Sequence, residues 1–333
     1  MKPNEEGIFY STPHDAYHAD QMHETPSFSA SLAKYLISET PRHCWWNCAR
    51  LNPNWTPKYK GIWDRGSAAH ALILKSGAPI KVLDYADWRK DAAQAARDAA
   101  RDEGLIPVLA KDHKELLEMR DALDEQLELL EGGNPFSEGH AEVTIRWLEE
   151  FSLHGKVYRI WCKSRLDWQN SESENLYDLK TSESAANPEK WTRFQMWDMG
   201  ATYQASMYKR GIRRLTQLGI LTQFDPDFLF LLVESKAPYS ISLVSVPSDL
   251  TAPYSTETAD ERLTKAMVLW HDCLESNRWP GYDPHVFVAQ PLRGRNAPRP
   301  EPSTAGASYH MESQEAPDEA FETVGAMLAK GKR

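Results

Sequence analysis

Three side chains in the middle of the chain have the types and spacing of a hydrolytic metal site. Asp178-Leu179-Lys180 lies within NLYDLKTSE, a run with strand length and composition, and Asp167 closes the preceding run KVYRIWCKSRLDW. Side chains at i and i+2 of a strand project to one face, so Asp178 and Lys180 stand together. A tight connection between the two runs would set Asp167 beside Asp178. Two carboxylates and an ammonium on one face are costly to bury without a purpose, and a divalent cation supplies one. Mg²⁺ takes one or two carboxylates, keeps several waters and accepts a substrate phosphate oxygen. Bound metal lowers the pKa of its water and neutralises charge on a phosphoryl transition state, while Lys180 would orient or polarise that water. The competing reading is a surface strand on which Asp and Lys merely alternate. Context favours a site: Glu142 opens the strand before, and Gln204 and Tyr208 lie one turn apart on the next helix.

The elements that must position these residues are legible as changes of period. Residues 1–25 are polar and His-rich (His14, His18, His23) and read as an arm or covering segment. A helix is expected to start from a Ser cap (Ser29 or Ser31), with Leu32, Tyr35 and Leu36 on one face and Pro41 ending it. GIWDRGSAAHALILKSG (61–77) reads as a buried helix. A charged, Ala-rich helix stopped by Gly104 and an amphipathic one carrying Leu116, Met119, Leu123, Leu127 and Leu130 should follow. Residues 142–150 and 156–168 alternate with period two across a connection containing Gly155, which predicts an antiparallel hairpin. The strand bearing Asp178 should be short and central. An aromatic helix is expected over 191–212, strands over 227–235 and 239–246, and a last helix over 258–277 closed by RWPGY. Five prolines fall within 291–317, so 291–333 reads as a disordered tail. Its final stretch, 318–333, could form a short helix on a partner. The fold class expected is α+β, a small mixed sheet flanked by helices, in a domain spanning 26–290.

The ordered set resembles the PD-(D/E)xK nuclease superfamily, and within it the RecE-like and RecB-like phage-type exonucleases. The pieces are GSAAHALIL, EVTIRW, CKSRLDW, YDLKTS and YQASMY. The opening YHADQMHETPSFSASLAKYLISETPRHCWW, the pair FLFLLVESKAPYSISLVSV and the closing RWPGY are similar to segments of the same exonucleases, so the likeness runs over roughly residues 17–285. Leu166 stands where the superfamily's proline would precede Asp167. The resemblance implies a restriction-endonuclease-like α/β/α core and a role for each matched residue. His70 matches a metal ligand, with Asp167 and Asp178 as the metal-binding carboxylates and the Leu179 carbonyl as a further donor. Lys180 matches the catalytic lysine, and Glu142 the glutamate of the first strand. Gln204 and Tyr208 match the helix that touches DNA near the cut. An imidazole ligand would make Mn²⁺ a natural substitute for Mg²⁺ in a two-ion site. The activity implied is 5′→3′ digestion of linear double-stranded DNA. A 3′ single strand would be left for a single-strand annealing or binding protein, and relatives form closed rings around DNA.

Composition bounds the alternatives. Among 333 residues, 38 are Lys or Arg and 48 Asp or Glu, a formal charge of −10, which argues against coating nucleic acid by charge alone but not against a nuclease that recruits cations. Hydrophobic residues make up 41% and Trp numbers twelve, enough for a sizeable core. No segment has a membrane span's apolar length, no secretory signal is visible, and the cytoplasm is the default. Cys44, Cys48, Cys162 and Cys273 are too few for a disulfide scaffold and wrongly spaced for an iron–sulfur cluster or zinc, so neither is expected. Lys163 and Arg165 alternate with Asp167 and are candidates for holding the DNA backbone. A structure-specific or restriction-type endonuclease, or a DNA-binding module without catalysis, remain alternatives on the same core.

Overall fold

The alternating run at 142–168 becomes the long hairpin around which the rest of the chain is laid. The computed structural model describes residues 5–56, 61–171, 175–182, 186–222, 227–247, 249–251 and 257–284. The expectations for the 291–333 tail, including a helix at 318–333, lie outside the described residues, as does the end of the 26–290 domain.

The chain opens with β1 (Gly7–Phe9) and α1 (His14–His18), then α2 (Ala30–Ser38) and α3 (Pro41–Asn47). Pro41 starts α3 rather than only ending its predecessor, because a first-turn proline gives up an N–H that has no helical partner. Next come α4 (Gly61–Leu74), β2 (Ile80–Leu83), α5 (Asp91–Asp102), β3 (Ile106–Leu109) and α6 (Ala110–Leu127). The hairpin is β4 (Gly139–Leu153) and β5 (Lys156–Asn170), followed by β6 (Leu176–Ser182). Then come α7 (Pro188–Phe194), α8 (Met196–Met199), α9 (Ala201–Gln217), β7 (Phe228–Glu234), β8 (Ile241–Ser245) and α10 (Ala259–Ser276). The single helix expected over 191–212 is thus broken. Gly200 takes φ 75°, a left-handed turn that glycine adopts freely, and α9 starts afresh after it. Thr258 and Glu261 form a capping box that fixes the start of α10.

Among the described residues the main sheet is six-stranded, ordered β1-β4-β5-β6-β7-β8. Only the β6–β7 neighbours run parallel, so the sheet is mixed, as the sequence suggests. β7 is almost wholly apolar because both its faces are covered. Phe228, Phe230 and Leu232 join a core with Leu32 of α2, Ile212 of α9 and Trp270 of α10. Leu231 and Val233 join a second core with Ile73 of α4 and Leu116 and Met119 of α6. Burying such side chains contributes about 1.5–3 kcal/mol each. α9 comes close to β4 at Gly211, where an added Cβ would lie 2.6 Å from Ile145 and 2.8 Å from Trp147, so only glycine lets the helix settle there.

A second, two-stranded sheet pairs β2 with β3 in parallel across the α5 crossover. Sequence reading misses it, since each strand is four residues long and Pro107 interrupts the second. Residues 5–25 lie against the main sheet: β1 pairs with β4, and three arginines hold the segment's main chain. Arg146 donates to the Glu5 carbonyl at 2.7 Å, Arg165 to Thr12 at 3.0 Å, and Arg50 to His23 at 3.0 Å. No helix among the described residues is long and apolar enough to cross a membrane.

Candidate active site

The site forms where β5 and β6 part. Their ladder consists of Trp168 opposite Tyr177 and Gln169 opposite Leu176. One step further Asp167 faces Asp178, and there the ladder gives way: the Leu179 N–H donates to the Asp167 carboxylate at 2.8 Å instead of to a strand. Opposed like charges oppose strand pairing, so the sequence itself ends the ladder at this point. His70, on α4, comes over the same edge. Its Nε2 lies 3.1 Å from the Leu179 carbonyl and its Nδ1 3.7 Å from the Asp167 carboxylate. With a carbonyl as acceptor, Nε2 carries the proton in this arrangement.

Asp178 is 1% exposed and its charge is met from two sides. Lys180 Nζ is in ion contact with Oδ2, and Gln204 Nε2 donates to Oδ1. Gln204 also accepts from Lys180 Nζ at 3.1 Å through Oε1, so one amide bridges acid and ammonium and orients both. Beneath, the Phe230 ring lies 5.4 Å from Lys180 Nζ, an attraction that adds to the carboxylate's hold. Tyr208 hydroxyl lies 3.0 Å from Gln204 and donates to the Arg165 carbonyl, tying the helix to β5. Burial, and then the nearby Asp178 charge, push the Tyr208 hydroxyl well up, so it stays a proton donor.

His70, Asp167, Asp178, Leu179, Lys180, Gln204 and Tyr208 therefore form one connected set. Glu142 stands beside it. It has φ 54°, a conformation costing on the order of 1–3 kcal/mol for such a residue, and its carboxylate is paired with Arg165. That pair occupies Arg165 as well, whose remaining bonds go to the Thr12 carbonyl and Thr144. Lys163, expected to hold DNA, is engaged by the chain itself. It is 5% exposed, 2.9 Å from Asp20 and bonded to the Tyr17 carbonyl, so the N-terminal segment takes the place expected of DNA phosphates. Phe230 and Asp20 escape sequence reading because nothing local marks either of them; only the tertiary fold brings them to Lys180 and Lys163.

The donor set fits a divalent cation. Two carboxylates, a backbone carbonyl and an imidazole lie along the splayed strands, and Lys180 already lies on Asp178 as a cation would. Asp167 is pushed up to about 6, by burial first and the Asp178 charge second, against His70, Lys180 and the Leu179 N–H; a bound cation would relieve both causes. The side chains of His70, Asp167 and Asp178 are not drawn into one tight group of ligand atoms. Among the described residues, His271, Asp272 and Glu275 of α10 are, but Lys156 lies 2.9 Å from Asp272 and 3.3 Å from Glu275.

The raised Asp167 carboxyl has a stability consequence. Its folded value lies above the unfolded one of about 4, so between roughly pH 4 and 6 the folded state holds more protons. Stability therefore falls as pH rises through that window and stays lowered above it. In EDTA, Asp167→Asn should be more stable than wild type at pH 8, with the gap closing toward pH 4. Denaturant melts across the pH range measure this; a gap independent of pH would contradict the assignment.

No protein-family model and no curated protein matches the chain. Among solved structures, a protein from Eubacterium rectale named as a presumed exonuclease is 13% identical, over 80% of this chain and 85% of that one, with a TM-score of 0.43. The protein SSO0001 is 12% identical, over 63% of this chain and 85% of that one, with a TM-score of 0.24. Similarities this distant say nothing of activity.

Proposed function

We propose that the chain is a metal-dependent DNA exonuclease that resects linear double-stranded DNA. The observation that carries this reading is the Asp167–Asp178 pair facing across parted strands, with Lys180 held on it by Gln204. Asp167, Asp178, the Leu179 carbonyl and His70 would hold Mg²⁺, or Mn²⁺ in its place. When bound, the metal supplies Lewis-acid stabilisation of a phosphodiester and an acidified water. Lys180, once shifted from Asp178, is placed to hydrogen-bond that water or a non-bridging phosphate oxygen. Gln204 keeps the ammonium within reach through Oε1, and Tyr208 fixes Gln204. To join the Leu179 carbonyl on one ion, the His70 ring would have to give up the bond its Nε2 now makes to that carbonyl. Digestion from 5′ to 3′, handover of the 3′ strand to a single-strand annealing protein, and a homo-oligomeric ring follow from the sequence resemblance. With Mg²⁺, linear duplex should be shortened from an end while the same DNA covalently closed stays intact. Nicking or linearisation of the closed circle would favour an endonuclease instead.

A further inference from the structure

The face of the sheet that carries Asp178 and Lys180 continues onto β7, where Phe230 is the direct neighbour of Asp178 in the parallel register. Side chains paired across a ladder project to one side, as do those at i and i+2, so acid, ammonium and ring share a face. Phe230 is fully buried, and its ring is packed by Phe228 at 4.8 Å and by Trp191 of α7 at 5.2 Å, centroid to centroid. The ring therefore stays where it is while groups around it change.

Among the described residues Lys180 makes three contacts: the Asp178 carboxylate, Gln204 Oε1 at 3.1 Å and the Phe230 ring at 5.4 Å. A divalent cation held by Asp178 would claim the first. The second depends on the first, because Gln204 is oriented by donating to the same carboxylate. Only the ring owes nothing to Asp178. A ring face attracts a cation through its quadrupole, more strongly where water is excluded, and the Lys180 side chain is only 21% exposed. Lys163 makes the contrast. It too lies over a ring, Tyr17 at 4.7 Å, but Asp20 and the Tyr17 carbonyl also hold it, and neither is a candidate metal ligand.

We propose that Phe230 is a positioning residue: its ring keeps the Lys180 ammonium at the site when a cation takes Asp178. What the lysine then does rests on the nuclease reading; the ring's hold on it does not, since that hold is measurable without turnover.

Replacing Phe230 in the full chain by phenylalanines carrying one, two and three ring fluorines tests this. Fluorine drains the negative ring face while changing the size of the side chain little, so the fold is kept and the attraction is not. Single-turnover digestion of linear duplex in Mg²⁺ should slow step by step, to on the order of tenfold for the trifluorinated ring, while calorimetric Mg²⁺ affinity stays within about twofold of wild type. A ring that merely packs would give no such trend. Denaturant melts of the same series with Lys180 and with Lys180→Met, in EDTA and in Ca²⁺, form double-mutant cycles that isolate the ring–ammonium pair. The midpoint should fall with fluorine count when the lysine is present and stay level in Lys180→Met, in both media. A flat rate series, or a fluorine effect on melting that is the same without the lysine, would overturn the proposal. So would a coupling in EDTA that vanishes in Ca²⁺, since the ring would then hold the lysine only alongside Asp178. Absence of metal-dependent digestion by the wild type would refute the nuclease reading alone, and the melting cycles would still decide whether the ring holds Lys180.

Discussion

Lys180→Ala should lower DNA hydrolysis by on the order of 10²–10⁴, measured as single-turnover release of label from linear duplex. The ammonium is the cation held on the buried Asp178, and Gln204, which bridges the two, is neutral. Removal also strips Asp178, 1% exposed, of its cation, and breaking such a pair is strongly destabilising. The variant should therefore melt lower in EDTA and recover when Mg²⁺ takes the vacated charge. A folded variant that digests duplex within a few-fold of wild type would remove Lys180 from the mechanism.

The second large effect belongs to Asp178. Asp178→Ala should abolish digestion and weaken divalent-ion binding by more than about 100-fold, beyond the loss seen for partners that only orient a ligand. Ca²⁺ should bind the wild-type protein without supporting turnover, because its loose coordination does not hold water and phosphate in line. Calorimetric titration with Mg²⁺, Mn²⁺ and Ca²⁺ measures the binding. Unchanged affinity in the variant would place the metal elsewhere.

Much of this arrangement is legible before folding. The hairpin follows from period-two alternation, and β7 from a run too short for a helix and too apolar for a surface. The joint projection of Asp178 and Lys180 follows from strand geometry alone. What escapes is what depends on distant chain segments. Lys163 and Arg165 look like phosphate contacts on an isolated strand, yet residues 12–20 return to that face and bind both. Glu142, whose backbone is left-handed, is paired with Arg165, a partner that the residue type alone does not foretell. The β2–β3 pair is hidden because parallel pairing across α5 leaves no local signature. Gln204 is foreseen as a DNA contact, while its bridge between Asp178 and Lys180 appears only once α9 is packed on the sheet.

The most direct test of the central claim is digestion of linear duplex labelled at each 5′ and 3′ end in turn, with Mg²⁺ and with EDTA. Metal-dependent chemistry at the Asp167–Asp178 pair predicts steady release of terminal label in Mg²⁺, from the 5′ end first, and none in EDTA. Robust release in EDTA, or none with Mg²⁺ or Mn²⁺, would contradict it.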